Sequence, residues 1–452
     1  MSTRRASTVL VVRDGANGME VLMLRRVARA GDLHGGAHVF PGGTLDPADD
    51  EHGVWCAGLD DTRASERLGL PSGGLAHYVA AVRECFEECG VLLACDAALQ
   101  PAGLDAHPPA LLAELRSQLR AGRIGLRDVC ERLDLRLTLD SLAYHSHWLT
   151  PLGLAKRFDT RFFVAAMPPL QTCAVDGEET LSHCWIRPAE ALAAGDDMRL
   201  PFPTRRTLAA VAAHASAAQC LAATRALTEI ACIVPRMAQG PDGVQPVHPD
   251  EAPYAEIGRL DPHGEGSASR VMVPGRAVRL APGVLRVTAP NAGTAAGFGA
   301  NTYLVGDAAS NRWVVIDPGP AQPAHADAVV AAAPGPIHTI VDTHSHAGHS
   351  PGAALLQSRT GAAVVNMHAG HVLVGGDVIL EWVHAQGQAC CLLRGEKMLF
   401  TGGHAMQDSA AAGLHGAEWL APGRGFLIGV LRRPAAARAA PLDRVGVRTP
   451  AC

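Results

Sequence analysis

The chain has 452 residues, 48% of them hydrophobic, and a formal net charge of −5. That length exceeds one ordinary core, so two domains are expected, and the negative balance argues against a general nucleic-acid coat protein. No apolar run reaches the ~18 residues of a membrane span.

Lysine occurs only at Lys156 and Lys397, and with so much Ala, Gly and Pro the arginine bias reads as that of a GC-rich genome. The twelve cysteines form no C-x-x-C pair. Several, such as Cys85, Cys220 and Cys232, sit in apolar runs. They read as buried free thiols in a reducing cytoplasm, and Cys390-Cys391 reads as two packed thiols on a strand.

In chain order, 8–12 and 20–24 read as strands around a Gly15-Ala16-Asn17-Gly18 turn. The first apolar stretch ends at Arg13-Asp14 without a cleavage site, unlike a signal peptide. Residues 77–93 read as a helix, 108–135 as one or two more, and 148–166 as strand around Arg161-Phe162-Phe163-Val164. Pro203-Thr204 opens a long Ala-rich helix to about Arg225, with Pro near the first turn where a helix tolerates it. A Pro/Gly/Asp-rich connection follows. Short apolar strands then come at Thr302-Tyr303-Leu304-Val305 and Trp313-Val314-Val315-Ile316. No internal repeat is present. The division is 1–228, a linker 229–276, and 277–452.

The most informative segment is Arg83-Glu84-Cys85-Phe86-Glu87-Glu88-Cys89-Gly90-Val91. On a helix Glu84, Glu87 and Glu88 are spaced i, i+3, i+4, which puts three carboxylates on one face. Arg83 is the only local cation, so the cluster is costly unless a positive ion sits there, and hard oxygen donors suit Mg²⁺ or Mn²⁺. A solvated acidic face is the plainer alternative. Gly90 has the position of a C-cap. Upstream, Phe40-Pro41-Gly42-Gly43 is a turn at which the backbone can approach a ligand closely.

Together these residues resemble the Nudix box, G-x5-E-x7-R-E-U-x-E-E-x-G-U with U aliphatic. Gly43 matches its first glycine, and Cys85 stands at an aliphatic position. The first Glu falls on Asp49, a shorter acid, and about two dozen residues, roughly 50–76, separate it from the helix. A Nudix subgroup similar to the peroxisomal coenzyme A diphosphatases carries an insertion at this point. It also shows segments matched here by Trp148-Leu149-Thr150-Pro151, Lys156 through Phe163, Glu178-Glu179 with Trp185, and Pro203-Thr204. The resemblance spans about 5–225 and implies an α/β/α Nudix sandwich that hydrolyses a diphosphate bond.

It further implies that Glu84, Glu87 and Glu88 hold the metal and that Arg83 orients them. Glu84 or Glu179 takes the attacking water's proton, with Glu178 as the adjacent competitor. Gly42, Gly43, Lys156 and Arg157 are candidates for the substrate, although a structural ion pair is an equal reading of the last two. Arg25 and Arg26 either contact phosphate or are solvated strand ends. The subgroup points to coenzyme A or acyl-coenzyme A; nucleotide sugars, dinucleotides and capped RNA ends stay open, since specificity does not follow from fold. The expected partner is a small-molecule diphosphate, with no nucleic acid and no membrane.

Residues 277–452 resemble the metallo-β-lactamase superfamily, which implies a shortened αβ/βα sandwich. Asn301 through Gly306 and Val315-Ile316-Asp317-Pro318-Gly319 match its early strands. Thr343-His344-Ser345-His346-Ala347-Gly348-His349 matches its metal loop. The loop's Asp is Gly348, the bridging Asp is Gly403, and two further His positions are Gln388 and Arg424. Two glycines offer no side-chain ligand, and a guanidinium stays charged beside a metal. The readings are a residual zinc site, with His344, His346, His349 and Gln388 as available ligands, or a degenerate domain without catalytic metal. His368 and His371 are distant substitutes. Asp317 and Asp342 read as loop organisers. Three functions stay open: diphosphate hydrolysis at the N-terminal site, zinc-dependent hydrolysis at the C-terminal site, and an inactive binding or vestigial protein.

Overall fold

The computed structural model describes residues 3–28, 35–51, 53–175, 177–291, 298–307, 311–343, 351–365, 372–375, 378–385, 388–403 and 415–430. The chain divides into two units, 1–235 and 236–452.

The first unit opens with strands β1 (Arg4–Gly15), β2 (Gly18–Arg26), β3 (His38–Val39) and β4 (Gly42–Thr44). An insertion carries β5 (Cys56–Ala57) and helix α1 (Asp61–Leu68), and leads into α2 (Leu75–Cys89). Then come β6 (Ala94–Cys95), α3 (Pro109–Arg120), α4 (Leu126–Leu133), β7 (Arg136–Thr138), β8 (Ala143–Leu149), β9 (Phe158–Ala166) and β10 (Thr180–Ile186). The unit closes with α5 (Pro188–Ala193), α6 (Phe202–Val211), α7 (Ala217–Arg225) and β11 (Cys232–Ile233).

Its sheet runs β10-β2-β1-β9-β8-β11, with β3 paired to β2, β4 to β1, and β1 parallel to β9. Alternate residues of the central strands enter two cores. Val9, Val11, Leu22, Leu24 and Phe163 pack with α1 to α4, whereas Leu10, Val12, Val21, Met23 and Phe162 pack with α5 to α7. A sheet covered on both faces gives unbroken apolar runs in sequence, as in Val9-Leu10-Val11-Val12. This is the expected α/β/α sandwich.

The single helix expected from Pro203 to Arg225 is two. Ser216 accepts the Gln219 amide at 3.2 Å and starts α7 afresh, because a side-chain cap competes with continued helix. Cys85 and Cys220 are buried as expected, but Cys232 is exposed on the edge strand β11.

In the second unit the stretch read as a linker is built structure. A hairpin of β12 (Arg236–Gly240) and β13 (Gly243–Val247) precedes α8 (Tyr254–Leu260). Ala238, Val247, Ile257 and Ala268 form a small core. Glu256 of α8 is buried and takes two bonds from Arg286, at 2.6 and 2.9 Å, and one from the Leu427 amide at 2.7 Å. Its partner lies 30 residues away, which local periodicity cannot reveal.

Two six-stranded sheets follow. The first comprises β14 (Ala277–Ala281), β15 (Val284–Thr288), β16 (Asn301–Asp307), β17 (Arg312–Ile316), β18 (Ile337–Val341) and β19 (Ala363–Val365), with α9 (Pro323–Ala332) and α10 (Gly352–Thr360) packed on its outer face. The second comprises β20 (Val372–Gly375), β21 (Val378–Ala385), β22 (Gln388–Leu393), β23 (Met398–Gly402), β24 (Trp419–Pro422) and β25 (Ile428–Gly429). Tyr303, Ile316 and Val341 of the first sheet meet Trp382, Cys391 and Phe400 of the second in one core. Among the described residues no helix is long and apolar enough to cross a membrane.

Candidate active site

Helix α2 is almost wholly buried, and its start depends on the insertion. Gly74 at the N-cap has no side chain to cap with. Asp61 of α1 accepts the Gly73 and Leu75 amides at 3.0 and 2.9 Å, and Ser65 accepts the Gly74 amide at 2.9 Å. The first helical amide and the two that precede it are thereby satisfied from a neighbouring helix. The helix ends at Cys89, with Gly90 in the left-handed region at φ 73°, as a C-cap glycine requires.

The carboxylates of this helix are not spread into solvent. Glu88 is 5% exposed, and its Oε2 accepts the Gly42 amide at 3.1 Å. The side chains of Glu84 and Glu87 are 12% and 13% exposed. Arg83 lies between them and the turn Pro47–Asp50. Its Nε and Nη2 each donate to Asp49 at 2.9 Å, Nη1 reaches Glu84 at 3.0 Å and Glu87 at 3.5 Å, and Nη2 also reaches the Thr44 carbonyl at 2.8 Å. Asp49, the shorter acid at the first-glutamate position, is buried and also receives the Asp46 amide at 2.8 Å. This forked pairing fixes the plane of the guanidinium.

Burial raises the Glu84 carboxyl to about 7, with Arg83 opposing and Glu87 adding to the rise. Burial also pushes Glu88 well up, reinforced by Glu84 and Glu179. Burial opposes the charge of Arg83, but Asp49, Glu84 and Glu87 hold its pKa above the ordinary value. Several acids thus share one dry site with too little positive charge, and a hard divalent cation would relieve that imbalance. As they stand, no group of three His, Cys, Asp or Glu side chains among the described residues is arranged to hold one metal ion. The carboxylates of Glu84 and Glu88 are turned instead to Arg83 and to the Gly42 amide.

Gly42 and Gly43 owe their place to space. Neither has a positive φ. A Cβ on Gly43 would lie 2.3 Å from Glu84 Oε1, and one on Gly42 would lie 2.6 Å from the Ser7 carbonyl of β1. The close approach read from the turn is therefore to α2 and β1.

The second acidic pair arrives on the loop before β10. The Val27 amide donates to the Glu179 carbonyl at 2.9 Å, and Thr180 Oγ1 donates to the Glu88 carbonyl at 3.2 Å. The charge of Glu179 is felt by both Glu87 and Glu88. Glu178 is three-quarters exposed and pairs with Arg120 of α3 at 3.6 Å. Arg26 is also felt by Glu88, while Arg25 is exposed.

The structure brings Arg83, Glu84, Glu87, Glu88 and Glu179 together beside Gly42 and Gly43. It does not join Lys156 or Arg157 to them by any hydrogen bond or ion pair among the described residues. Arg157 Nε donates to the Thr150 carbonyl at 3.0 Å, closing the turn between β8 and β9, and Lys156 is exposed. Sequence reasoning missed Arg116 and Arg120. Arg116 Nη2 donates to the Glu87 carbonyl at 2.9 Å, a cation at the C-terminal end of the helix. Their i, i+4 spacing on α3 was the available signal.

In the second unit His344, His346 and His349 lie outside the described residues, as do His368, His371 and the side chain of Gln388. Asp317, just after β17, is buried and accepts the Thr343 amide and hydroxyl at 2.8 and 2.9 Å, which ties together the ends of β17 and β18. Arg424 Nη1 donates to the Phe298 carbonyl at 2.7 Å.

The sandwich and its carboxylate helix give the first unit the architecture that the Nudix resemblance implies. Residues 60–201 match the family model described as the NUDT19 Nudix domain, and 295–387 match that of the metallo-β-lactamase superfamily. Each of these matches covers less than half of the chain.

Within the Nudix class it is similar to acyl-coenzyme A diphosphatase NUDT19 of human, at 32% identity over 39% of this chain and 55% of that one, and of chicken, at 31% identity over 38% and 55%. The chain thus spans about half the length of the curated relatives it matches. Among solved structures it is similar to a Nudix hydrolase from Alicyclobacillus acidocaldarius (28% identity, 49% of this chain and 96% of that one, TM-score 0.41) and to a metallo-β-lactamase from Pontibacter korlensis (16% identity, 34% and 93%, TM-score 0.29).

Proposed function

We propose that the first unit is a divalent-metal-dependent hydrolase that cleaves a diphosphate linkage in a nucleoside diphosphate derivative, with coenzyme A or an acyl-coenzyme A as substrate. The observation that carries this reading is the set of carboxylates gathered in one dry site with Arg83 fixed among them. The acyl-coenzyme A diphosphatase name of the relatives supports the substrate class.

Glu84, Glu87 and Glu88 would hold Mg²⁺ or Mn²⁺, which on binding neutralises phosphate charge and acidifies water. Arg83, held by Asp49, keeps Glu84 and Glu87 at the correct spacing. Glu179 accepts the proton of the attacking water. It is preferred over Glu178 because its charge reaches Glu87 and Glu88, whereas Glu178 turns to Arg120. Gly42 and Gly43 let the turn close over the helix, and the Gly42 amide steadies Glu88. Lys156 is left as a substrate cation, while Arg157 is committed to the turn at Thr150. Buried free thiols in the first unit suit a reducing, cytoplasmic setting.

The test is Mg²⁺-dependent nucleotide release from coenzyme A. Glu87→Gln is expected to lose at least about a hundredfold in kcat, the scale of a lost catalytic group. Glu179→Gln is expected to lower kcat with little change in KM. Unchanged turnover in Glu87→Gln overturns the reading.

A further inference from the structure

The second unit holds a cavity of about 1160 Å³ between α8 and the strands β24 and β25. Small-ligand pockets run to about 1,000 Å³, so the space admits a ligand of appreciable length. Tyr254, Phe298, Trp419 and Phe426 stand in its wall, and most of the remaining wall is apolar.

The charges around the cavity are unevenly committed. Of the acids in the wall, Glu251 pairs with Arg270 at 3.0 Å and Glu418 with Lys397 at 2.8 Å. Among the described residues of this unit three guanidiniums lie over aromatic rings: Arg286 over Phe426 at 5.8 Å, Arg259 over Trp419 at 4.9 Å, and Arg236 over Tyr254 at 4.7 Å. Such a contact uses the ring face and leaves the N–H groups to other partners. Arg286 gives them to Glu256 at 2.6 Å and Arg259 to Glu396 at 2.7 Å. Arg236 has no acid. Among the described residues it makes no ion pair and no side-chain hydrogen bond, and its Nε is buried without a partner.

A buried donor left unmatched is unfavourable, and an anion in the cavity would supply what is missing. Helix α8 makes room for this group. A Cβ on Gly258 would overlap the guanidinium at Nη1 and Cζ, although glycine weakens a helix interior. Arg424, also in the wall, makes no ion pair among the described residues; its Nη1 donates to the Phe298 carbonyl at 2.7 Å. It adds positive potential that no acid of the wall is free to balance.

One guanidinium presents paired N–H groups that match the two oxygens of a carboxylate, and aromatic walls match an apolar body. We propose that this cavity binds a monocarboxylate with an apolar chain, its carboxylate on Arg236 and its chain against Trp419 and Phe426. The site belongs to the second unit alone and needs neither a metal nor hydrolysis.

The test is calorimetric titration of the full chain with octanoate and with octanol, which share a chain length and differ in charge. Octanoate is expected to bind at one site per chain, about tenfold or more tighter than octanol, the scale of one charge-assisted contact. Arg236→Ala is expected to erase most of that ratio. Arg236→Lys is expected to keep part of it, because lysine restores the charge without the fork. Trp419→Ala is expected to weaken both ligands by a similar factor, since its contact is with the chain. No octanoate binding, equal affinities for the two ligands in the native chain, or a ratio unchanged in Arg236→Ala overturns the site. The octanoate and octanol comparison is made on the native chain and decides the matter even where a variant folds poorly.

Discussion

Alanine at Gly43 separates catalysis from folding, because what a methyl group would meet there is the far end of a flexible side chain. Its Cβ would lie 2.3 to 2.7 Å from the three carboxylate atoms of Glu84, where real contacts are seldom under about 3 Å. Backbone conformation is no obstacle, since φ is not positive. Glu84 relieves the overlap by rotating, at about 0.5–1.5 kcal/mol for an off-rotamer side chain. Stability in urea should therefore fall by about 0.5–1.5 kcal/mol. Hydrolysis should fall by about a hundredfold, because Glu84 leaves both Arg83 and the proposed metal. Gly42→Ala is the counterpart. Its Cβ would lie 2.6 Å from the Ser7 carbonyl and 2.8 Å from Thr8 Cα. Backbone cannot rotate away, so overpacking should cost about 1–3 kcal/mol. The assay is a urea titration of each variant beside its Mg²⁺-dependent turnover. A Gly43→Ala protein that keeps near-native activity would refute the argument that Glu84 must occupy that space.

Two further outcomes concern stability. Arg286→Ala strands the buried Glu256 carboxylate and should cost the second unit about 3–5 kcal/mol, seen as a lower denaturant midpoint and as new protease cleavage within 236–262; an unchanged midpoint would contradict the pairing. Burial, with Arg161 and Arg5 nearby, lowers the pKa of His77 from 6.5 to about 4. The unfolded chain therefore binds this proton more tightly than the folded one, so stability is present above pH 6.5 and is lost as pH falls toward 4. The shift is worth about 3 kcal/mol at most. His77→Gln should flatten the pH dependence of the first unit's unfolding between pH 6.5 and 4.5 without abolishing it, because His145 is lowered in the same way. An identical slope in the variant would count against His77.

The sequence by itself determined the carboxylate cluster of the candidate site. The i, i+3, i+4 spacing of Glu84, Glu87 and Glu88 is a property of one helix, and Gly90 marks where that helix stops, so both were legible locally. The central strands were legible because continuous apolar runs have few other uses.

Only the tertiary structure decided what depends on residues far apart in the chain. Asp49 was only a shorter acid at the first-glutamate position until its bonds to Arg83, 34 positions away, showed it holding the guanidinium. Gly42 and Gly43 looked like ligand-approach glycines until β1 and Glu84 were seen to fill the space around them. The supposed linker became a built segment because Glu256 finds Arg286. Arg116 and Arg120 were ordinary helix cations until packing set them against the end of α2 and the Glu178 loop. Periodicity and spacing report what a segment does with itself; burial and charge pairing are settled by whichever distant group the fold brings alongside.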